Sequence, residues 1–290
     1  MHTAYHPGSR AVQERVGVRD LADHVGRSIT PGIRPVAAAF LEAQPMLVLG
    51  TADAQGRVGA GLLTGAPGFV RATGPRTVSV AAALPEGVPD GAPVGTLALD
   101  PRTRRRMRLN GTARRSARGF TIEAEQVFSN CPKYLQRREW YGSEPPAPGA
   151  AAERHGETLT PDQIRRIRAA DTFFLATSAP DGLDAGHRGG NPGFVRVDAP
   201  GELSWPDYSG NAMFLTLGNL EADGRAGLLF LDWETGLTLA LSGRAHTEYG
   251  PDGRVTRFRI ERTTENPSGS PLRWSPPEYS PSNPPTPPTL

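Results

Sequence analysis

The residues best suited to chemistry lie in one glycine-rich block in the second half of the chain, 186–230. Arg188 stands at the edge of a turn that contains Gly189, Gly190 and Gly193. A guanidinium matches a phosphate with two parallel hydrogen bonds, and glycines let backbone N–H groups approach an anion closely. The pattern predicts an anion site, and a solvated surface charge is the alternative for Arg188.

A second polar turn follows in the same block. Ser209, Gly210 and Asn211 come just before the stretch MFLTLGNLEAD, which has an amphipathic pattern. Because the N-terminus of a helix attracts phosphate, this turn is suited to complete a phosphate site. A plain helix cap is the alternative.

Several other chemistries are excluded by motif and composition. The six histidines show no metal-ligand spacing, and a single cysteine, Cys131, excludes an internal disulfide. Gly59 and Gly61 are followed by Thr64, which breaks a dinucleotide fingerprint. The net charge of +2 does not favour nucleic acid, and no apolar run is long enough to span a membrane. A soluble cytoplasmic protein is expected.

An arginine run, RTRRRMR at 102–108, is the one unusual surface feature, together with Arg114, Arg115 and Arg118. We predict that it forms the solvated face of a barrel strand. A docking patch for an acidic electron-transfer protein is the alternative. No aromatic residues are interleaved with the arginines, so single-stranded nucleic acid is disfavoured.

The elements that must position these residues come in two copies. PGFVR occurs at 67–71 and at 192–196, an offset of 125 residues. VGTLALD (94–100) matches AGLLFLD (226–232) at offset 132. Further matches are Gly111 with Gly243 at the same offset, and Glu125, Asn130 and Arg137 with Glu261, Asn266 and Arg273 at offset 136. Matches that keep their order while the offset grows indicate duplication with loop insertions.

Each copy reads as a helix followed by short strands. The first helix-like stretch is 31–44, and the second opens at Thr160 with a capping box. Short strands closed by turns predict a small antiparallel barrel. The predicted fold is mainly β with flanking helices, divided into a first half (1–141), a linker (142–158), a second half (159–274) and a disordered or extended Pro-rich tail (275–290).

These motifs resemble the FMN-binding split-barrel superfamily, in particular its pyridoxamine 5'-phosphate oxidase-like members. The pieces that carry the resemblance are HRGGNPGFVRV, PDYSGN, LGNLEADGRAGLLF and SNCPKYLQRREW, within roughly 8–274. The resemblance implies two split β-barrel halves in tandem, FMN as cofactor and oxidoreductase activity on an unidentified small molecule. It also implies a ferredoxin- or reductase-type electron donor. Duplication would rebuild the usual dimer interface as a pseudo-dimer, and a homodimer of such chains is left open.

The resemblance also implies roles for individual residues. Those that would hold the FMN phosphate are Arg188, Gly189, Ser209, Gly210, Asn211 and Asn219. Those that would lie beside the ring are Phe194, Val195 and Arg196. Those that would reach across from the first half, to the ring or the substrate, are Lys133, Tyr134 and Arg137. For this last group, a helix start with a solvated basic face is the alternative.

The two halves differ at the positions that would hold the phosphate. At offset 125, Leu63 aligns with Arg188 and Leu62 with His187, so the first half lacks the phosphate cation. It also lacks the Ser-Gly-Asn turn and its helix. We therefore expect one FMN per chain, and FMN rather than FAD because no adenosine-binding fingerprint is present. Two rival hypotheses are a heme-binding barrel that uses His187 and a flavin-binding protein without catalysis.

Overall fold

The computed structural model describes residues 4–145, 152–180 and 182–285, which are mainly β-strand. The strands of the first half are β1 (Met46–Ala52), β2 (Val58–Thr64), β3 (Val70–Ala72), β4 (Thr77–Val80), β5 (Pro93–Asp100), β6 (Arg105–Ser116) and β7 (Gly119–Ser129). They form one antiparallel sheet in the order β2-β1-β5-β6-β7-β4-β3.

Two short strands, β8 (Trp140–Ser143) and β9 (Arg154–Gly156), come before the second sheet. Its strands are β10 (Thr172–Ala179), β11 (Gly182–Gly189), β12 (Arg196–Ala199), β13 (Glu202–Pro206), β14 (Arg225–Leu231), β15 (Thr238–Gly250) and β16 (Gly253–Asn266). Their order is β11-β10-β14-β15-β16-β13-β12. Strand for strand, this is the path of the first sheet.

Matching glycines mark the same bulge in both sheets. The β6–β7 register shifts at Gly111, and the β15–β16 register shifts at Gly243. A Cβ added to Gly111 would lie 2.0 Å from the carbonyl oxygen of Glu123, and one added to Gly243 would lie 2.0 Å from that of Arg259. The predicted fold, mainly β with two split-barrel halves in tandem, is confirmed by this architecture.

The described helices are short. They are α1 (Pro7–Arg15), α2 (Arg19–Gly26), α3 (Pro35–Glu42), α4 (Pro161–Ala169) and α5 (Leu215–Ala222). The capping box at Thr160 is present at the start of α4. The stretch predicted to be amphipathic is α5, but six of its eight residues are buried. It is buried because α1 of the first half crosses it, with Gly8 and Ser9 against Gly218. No described helix is long and apolar enough to cross a membrane.

The halves meet along symmetric backbone contacts. A Cβ on Gly95 of β5 would lie 2.5 Å from the backbone of Asp184 on β11, and one on Gly227 of β14 would lie 2.6 Å from the backbone of Gly59 on β2. Gly95 and Gly227 are themselves a repeat pair, at offset 132. The two halves thus pack as a pseudo-dimer, with an apolar cluster between them.

The predicted linker and tail are more structured than expected. β8 pairs with β17 (Leu272–Trp274), and β9 pairs with β16, so the described ends of 142–158 contain strands. Tail residues 275–285 hydrogen-bond to both halves, and Ser280 is buried. The prediction of a disordered tail is wrong there, because polar side chains and backbone groups dock it without an apolar core. Residues 146–151 and 286–290 lie outside the described residues.

Candidate anion-binding site between the halves

A cleft of about 840 Å³, counting its open mouth, lies between the two halves. Its first-half lining consists of Arg106, Arg108, Asn130, Cys131, Lys133 and Tyr134. Its second-half lining consists of His187, Arg188, Gly189, Phe194, Pro206, Asp207, Tyr208 and 210–217. The cleft therefore depends on the packing of one half against the other.

Strand geometry explains how the first half supplies two arginines. Arg106 and Arg108 are two residues apart on β6, so their side chains share one face of the sheet. Arg108 forms a buried ion pair with Asp184 of β11. Asn110, two residues further along β6, donates to the same carboxylate at 3.0 Å. This pairing leaves Asp184 neutralised and fixes β6 against β11.

Arg106 carries a positive charge and has no carboxylate partner among the described residues. Its Nε and Nη2 donate to the carbonyl oxygen of Cys131 at 3.0 and 2.7 Å, and its Nη1 meets Nδ1 of His187. Burial, with Arg108 and Arg188 nearby, lowers the pKa of Arg106 to about 9. The guanidinium stays charged at neutral pH. Its charge is under-compensated, and an anion in the cleft would stabilise it.

His187 is buried in a neutral state. Burial, followed by the charges of Arg106 and Arg188, lowers the pKa of this imidazole well below its ordinary 6.5. Because Arg106 donates to Nδ1, the proton lies on Nε2, which has no described hydrogen-bond partner. A heme ligand must offer a free nitrogen lone pair, and neither nitrogen of this tautomer does. The geometry disfavours the heme hypothesis.

Arg188 has only a long contact with a carboxylate. Its Nη2 lies 3.6 Å from Asp207, and that carboxylate makes a closer contact, 2.9 Å, with Arg254. Its Nε has no partner among the described residues. Burial lowers the pKa of Arg188 more than Asp207 raises it. Asp184 is paired with Arg108, and Asp207 lies closer to Arg254 than to Arg188. The cleft therefore has a surplus of positive charge, which comes from Arg106, Arg188 and Lys133.

Backbone strain concentrates at the same place. Four described non-glycine residues have a positive φ, and Tyr134 (64°), Ala212 (60°) and Phe214 (53°) line the cleft. Such conformations cost free energy and cluster at functional sites. The Tyr134 hydroxyl also donates to the carbonyl oxygen of Ser209 at 2.8 Å, which joins the loops of the two halves across the mouth.

Most residues predicted for the site do come together. Those that line the cleft are Arg188, Gly189, Phe194, Gly210, Asn211, Lys133 and Tyr134. Ser209 lies next to it through its contact with Tyr134. Residues 130–139 form no helix, so a helix start does not account for Lys133 and Tyr134. A plain helix cap is also absent, because α5 begins at Leu215 and its N-cap residue, Phe214, makes no side-chain capping hydrogen bond.

Four predicted residues lie elsewhere. Asn219 bonds to His6 and Thr177 beneath α5, each at 2.9 Å. Val195 packs in the second-half core, and Arg196 is exposed. Arg137 pairs with Glu139 and Glu278 on the surface. Asn219 is carried by α5 and Arg196 by β12, whereas Val195 and Arg137 lie in loops, and none of the four lines the cleft.

The glycine-rich turn also works differently from the prediction. The N–H groups of Gly190 and Gly193 donate to the carbonyl oxygens of Asp171 and Arg168, at 3.0 and 2.8 Å. A Cβ on Gly189 would lie 2.0 Å from the carbonyl oxygen of Tyr134. Gly189 therefore allows the halves to approach closely, and the cleft's cations are side chains.

Sequence reasoning missed the first-half arginines. Arg106 and Arg108 belong to the run predicted to be a solvated face, and for these two residues that prediction is wrong. The available signal was their alternation with Met107 and Leu109, which are buried. Alternation showed that one face of β6 was apolar. It gave no indication that the other half covers the arginine face.

A putative pyridoxamine 5'-phosphate oxidase from Corynebacterium glutamicum is 12% identical, with TM-score 0.28, over 38% of this chain and 91% of its own. The chain is similar to pyridoxamine 5'-phosphate oxidase-like proteins. HupZ from group A Streptococcus is 17% identical, with TM-score 0.32, over 39% of this chain and 98% of its own. A FAD-binding protein from Mesorhizobium loti is 11% identical, with TM-score 0.27, over 40% and 98%. No family model and no curated protein matches the sequence.

Proposed function

We propose that the chain is an FMN-dependent oxidoreductase of the pyridoxamine 5'-phosphate oxidase-like type. The observation that carries the proposal is the surplus positive charge of Arg106, Arg188 and Lys133 in the cleft between the halves. A cofactor phosphate carries charge of the opposite sign and accepts charge-assisted hydrogen bonds. The unpartnered Nε of Arg188 and Nε2–H of His187 are donors that such a group would fit.

The bound flavin would supply hydride or electron transfer, and the chain would supply binding and orientation. Arg188 and Arg106 would hold the phosphate from opposite halves. The aromatic residues of the cleft are Phe194, Tyr134, Tyr208 and Phe214, and such side chains are suited to pack against the ring system. Because His187 is neutral, it would act as a hydrogen-bond donor at Nε2.

FMN is favoured over FAD because the sequence contains no adenosine-binding fingerprint. FAD is the main competitor, since the Mesorhizobium loti protein is described as FAD-binding. Mass spectrometry of the cofactor released from purified protein distinguishes them. The expected result is FMN. FAD, heme, or no cofactor after incubation with FMN would contradict the proposal.

The Arg188→Ala variant tests the site directly. Loss of a charge-assisted contact costs about 1.5–3 kcal/mol, so FMN affinity should fall roughly ten- to a hundredfold. Leu63→Ala is the matched control, because Leu63 takes the same place on β2 that Arg188 takes on β11. It should change stability and leave affinity alone. Flavin fluorescence quenching during titration of the apoprotein measures both.

Turnover requires a separate experiment. Anaerobic addition of NADH or NADPH, or of a reduced ferredoxin, should bleach the flavin absorbance, and a small-molecule acceptor should restore it. A flavin that binds tightly but is reduced by none of these donors would favour the non-catalytic flavin-binding alternative.

A further inference from the structure

Gln136 is buried at the place where four segments of the chain meet. Its Nε2 lies within hydrogen-bond distance of three carbonyl oxygens, those of Tyr134 (3.1 Å), Asp171 (3.3 Å) and Gly190 (3.2 Å). Its Oε1 accepts from the backbone N–H of Ser280 (2.8 Å) and from Nδ2 of Asn283 (3.0 Å). One side chain thus joins the first-half loop, the start of β10, the turn after β11 and the C-terminal tail.

Two of these partners border the candidate site. Tyr134 forms one wall of the cleft in a strained conformation, with φ of 64°. Gly190 follows Arg188 and Gly189 directly, so its position sets where β11 ends. A backbone that is held in a strained conformation requires contacts that over-determine it. Gln136 provides those contacts from behind the cleft wall.

The tail reinforces the arrangement on the same side. The backbones of Glu278 and Arg137 exchange two hydrogen bonds of 2.9 Å. The Glu278 carboxylate pairs with Arg104 and Arg137, at 3.1 and 3.0 Å. Asn283 and Asn191 are joined at 3.1 Å, next to the Gly190 turn. Residues 278–284 therefore form a strap across the outside of the loop that carries Tyr134.

We infer that Gln136 is a positioning residue, through which the strap 278–284 fixes the Tyr134 and Arg188 walls of the ligand cleft. The inference rests on the proposed function in so far as the ligand is FMN. Gln136 lies behind the cleft wall and is not one of the residues that line the cleft. Its effect reaches the ligand through Tyr134 and through the Gly190 turn. The tail therefore helps to hold the walls of the cleft in place.

The test compares two buried glutamines. Gln136→Ala should weaken FMN binding about tenfold, the effect of one to two lost hydrogen bonds. In the ligand-free protein it should also speed amide hydrogen exchange at 188–190 about tenfold. Gln163→Ala is the matched control. Gln163 is equally buried and hydrogen-bonded, but lies at the start of α4. It should lower the melting temperature without either effect.

A truncation provides the second variant if Gln136→Ala does not fold. Removing 278–290 should reproduce both effects, whereas removing only 286–290 should produce neither, because the described contacts of the strap end at Pro284. Unchanged exchange at 188–190 and unchanged affinity in the longer truncation would overturn the inference. Faster exchange in a protein that never binds FMN would support the positioning role and refute the proposed function.

Discussion

At the scale of single residues, the cleft is defined by charges that lack their usual partners. The charge of Arg188 helps to lower the pKa of Arg106, and the nearby carboxylates of Asp184 and Asp207 are paired with other arginines. Burial and the charges of both arginines hold His187 neutral. Each ionised group is tolerated because hydrogen bonds to carbonyl oxygens replace part of its hydration. The arrangement stores unfavourable electrostatic energy that an anionic ligand would relieve.

The cost of holding His187 neutral can be measured, because it makes the free energy of unfolding depend on pH. Its pKa in the folded chain lies well below 6.5, whereas the unfolded chain takes up a proton near that pH. Protonation therefore favours unfolding as the pH falls below 6.5, with a slope that approaches about 1.4 kcal/mol per pH unit. Ligand-free protein should lose more stability between pH 7 and pH 5 than His187→Gln, which keeps an acceptor for Arg106.

Urea denaturation at each pH measures the difference. His24→Gln, at an exposed histidine of α2, is the control variant for loss of a histidine. Parallel stability curves for the unmodified chain and His187→Gln would show that this imidazole is not held neutral in the folded state.

At the scale of elements, the two bulge glycines provide a test of the duplication. Ala at Gly111 or Gly243 would push a Cβ into a carbonyl oxygen on the neighbouring strand. Each substitution should cost about 1–3 kcal/mol, since the ladder must shift to admit it. Gly59→Ala on β2 is the control, because a Cβ there meets nothing within 4 Å.

Unfolding free energies from urea titration should therefore fall for both bulge variants and stay level or rise for the control. Similar losses of unfolding free energy at Gly111 and Gly243 would show that both sheets require the same glycine bulge. A tolerated Ala at either position would contradict that equivalence.

The same scale shows how far the sequence predicts this protein. The duplication and its short strands could be anticipated, because repeat matches such as Gly111 and Gly243 keep their order along the chain. The second-half cleft residues could be anticipated as well, because Arg188 and Asn211 lie within one continuous motif. Arg106 and Gln136 could not, since their roles depend on which surface of the other half packs against them. That information lies in tertiary packing and not in local pattern.

At the scale of the whole molecule, the pseudo-dimer has lost its symmetry at one of two equivalent places. The mate of the cleft would be built from β15 and β2, where Thr238 and Ala240 replace Arg106 and Arg108 at offset 132. Leu62 and Leu63 replace His187 and Arg188 there. Leu62 and Ala240 pack into the apolar cluster between the halves. The second place is therefore part of the core.

This asymmetry predicts one ligand per chain. Titration of apoprotein with FMN, followed by calorimetry, should give a stoichiometry near one, because the mate of the cleft has no arginine at these positions to replace the hydration of a phosphate. The Arg188→Ala variant gives a second test of whether the chain has one binding site or two. If Arg188 serves the single site, its loss should shift the entire isotherm to weaker binding. Two functional sites would instead leave half of the heat at the original affinity, and that outcome would refute the single-site arrangement.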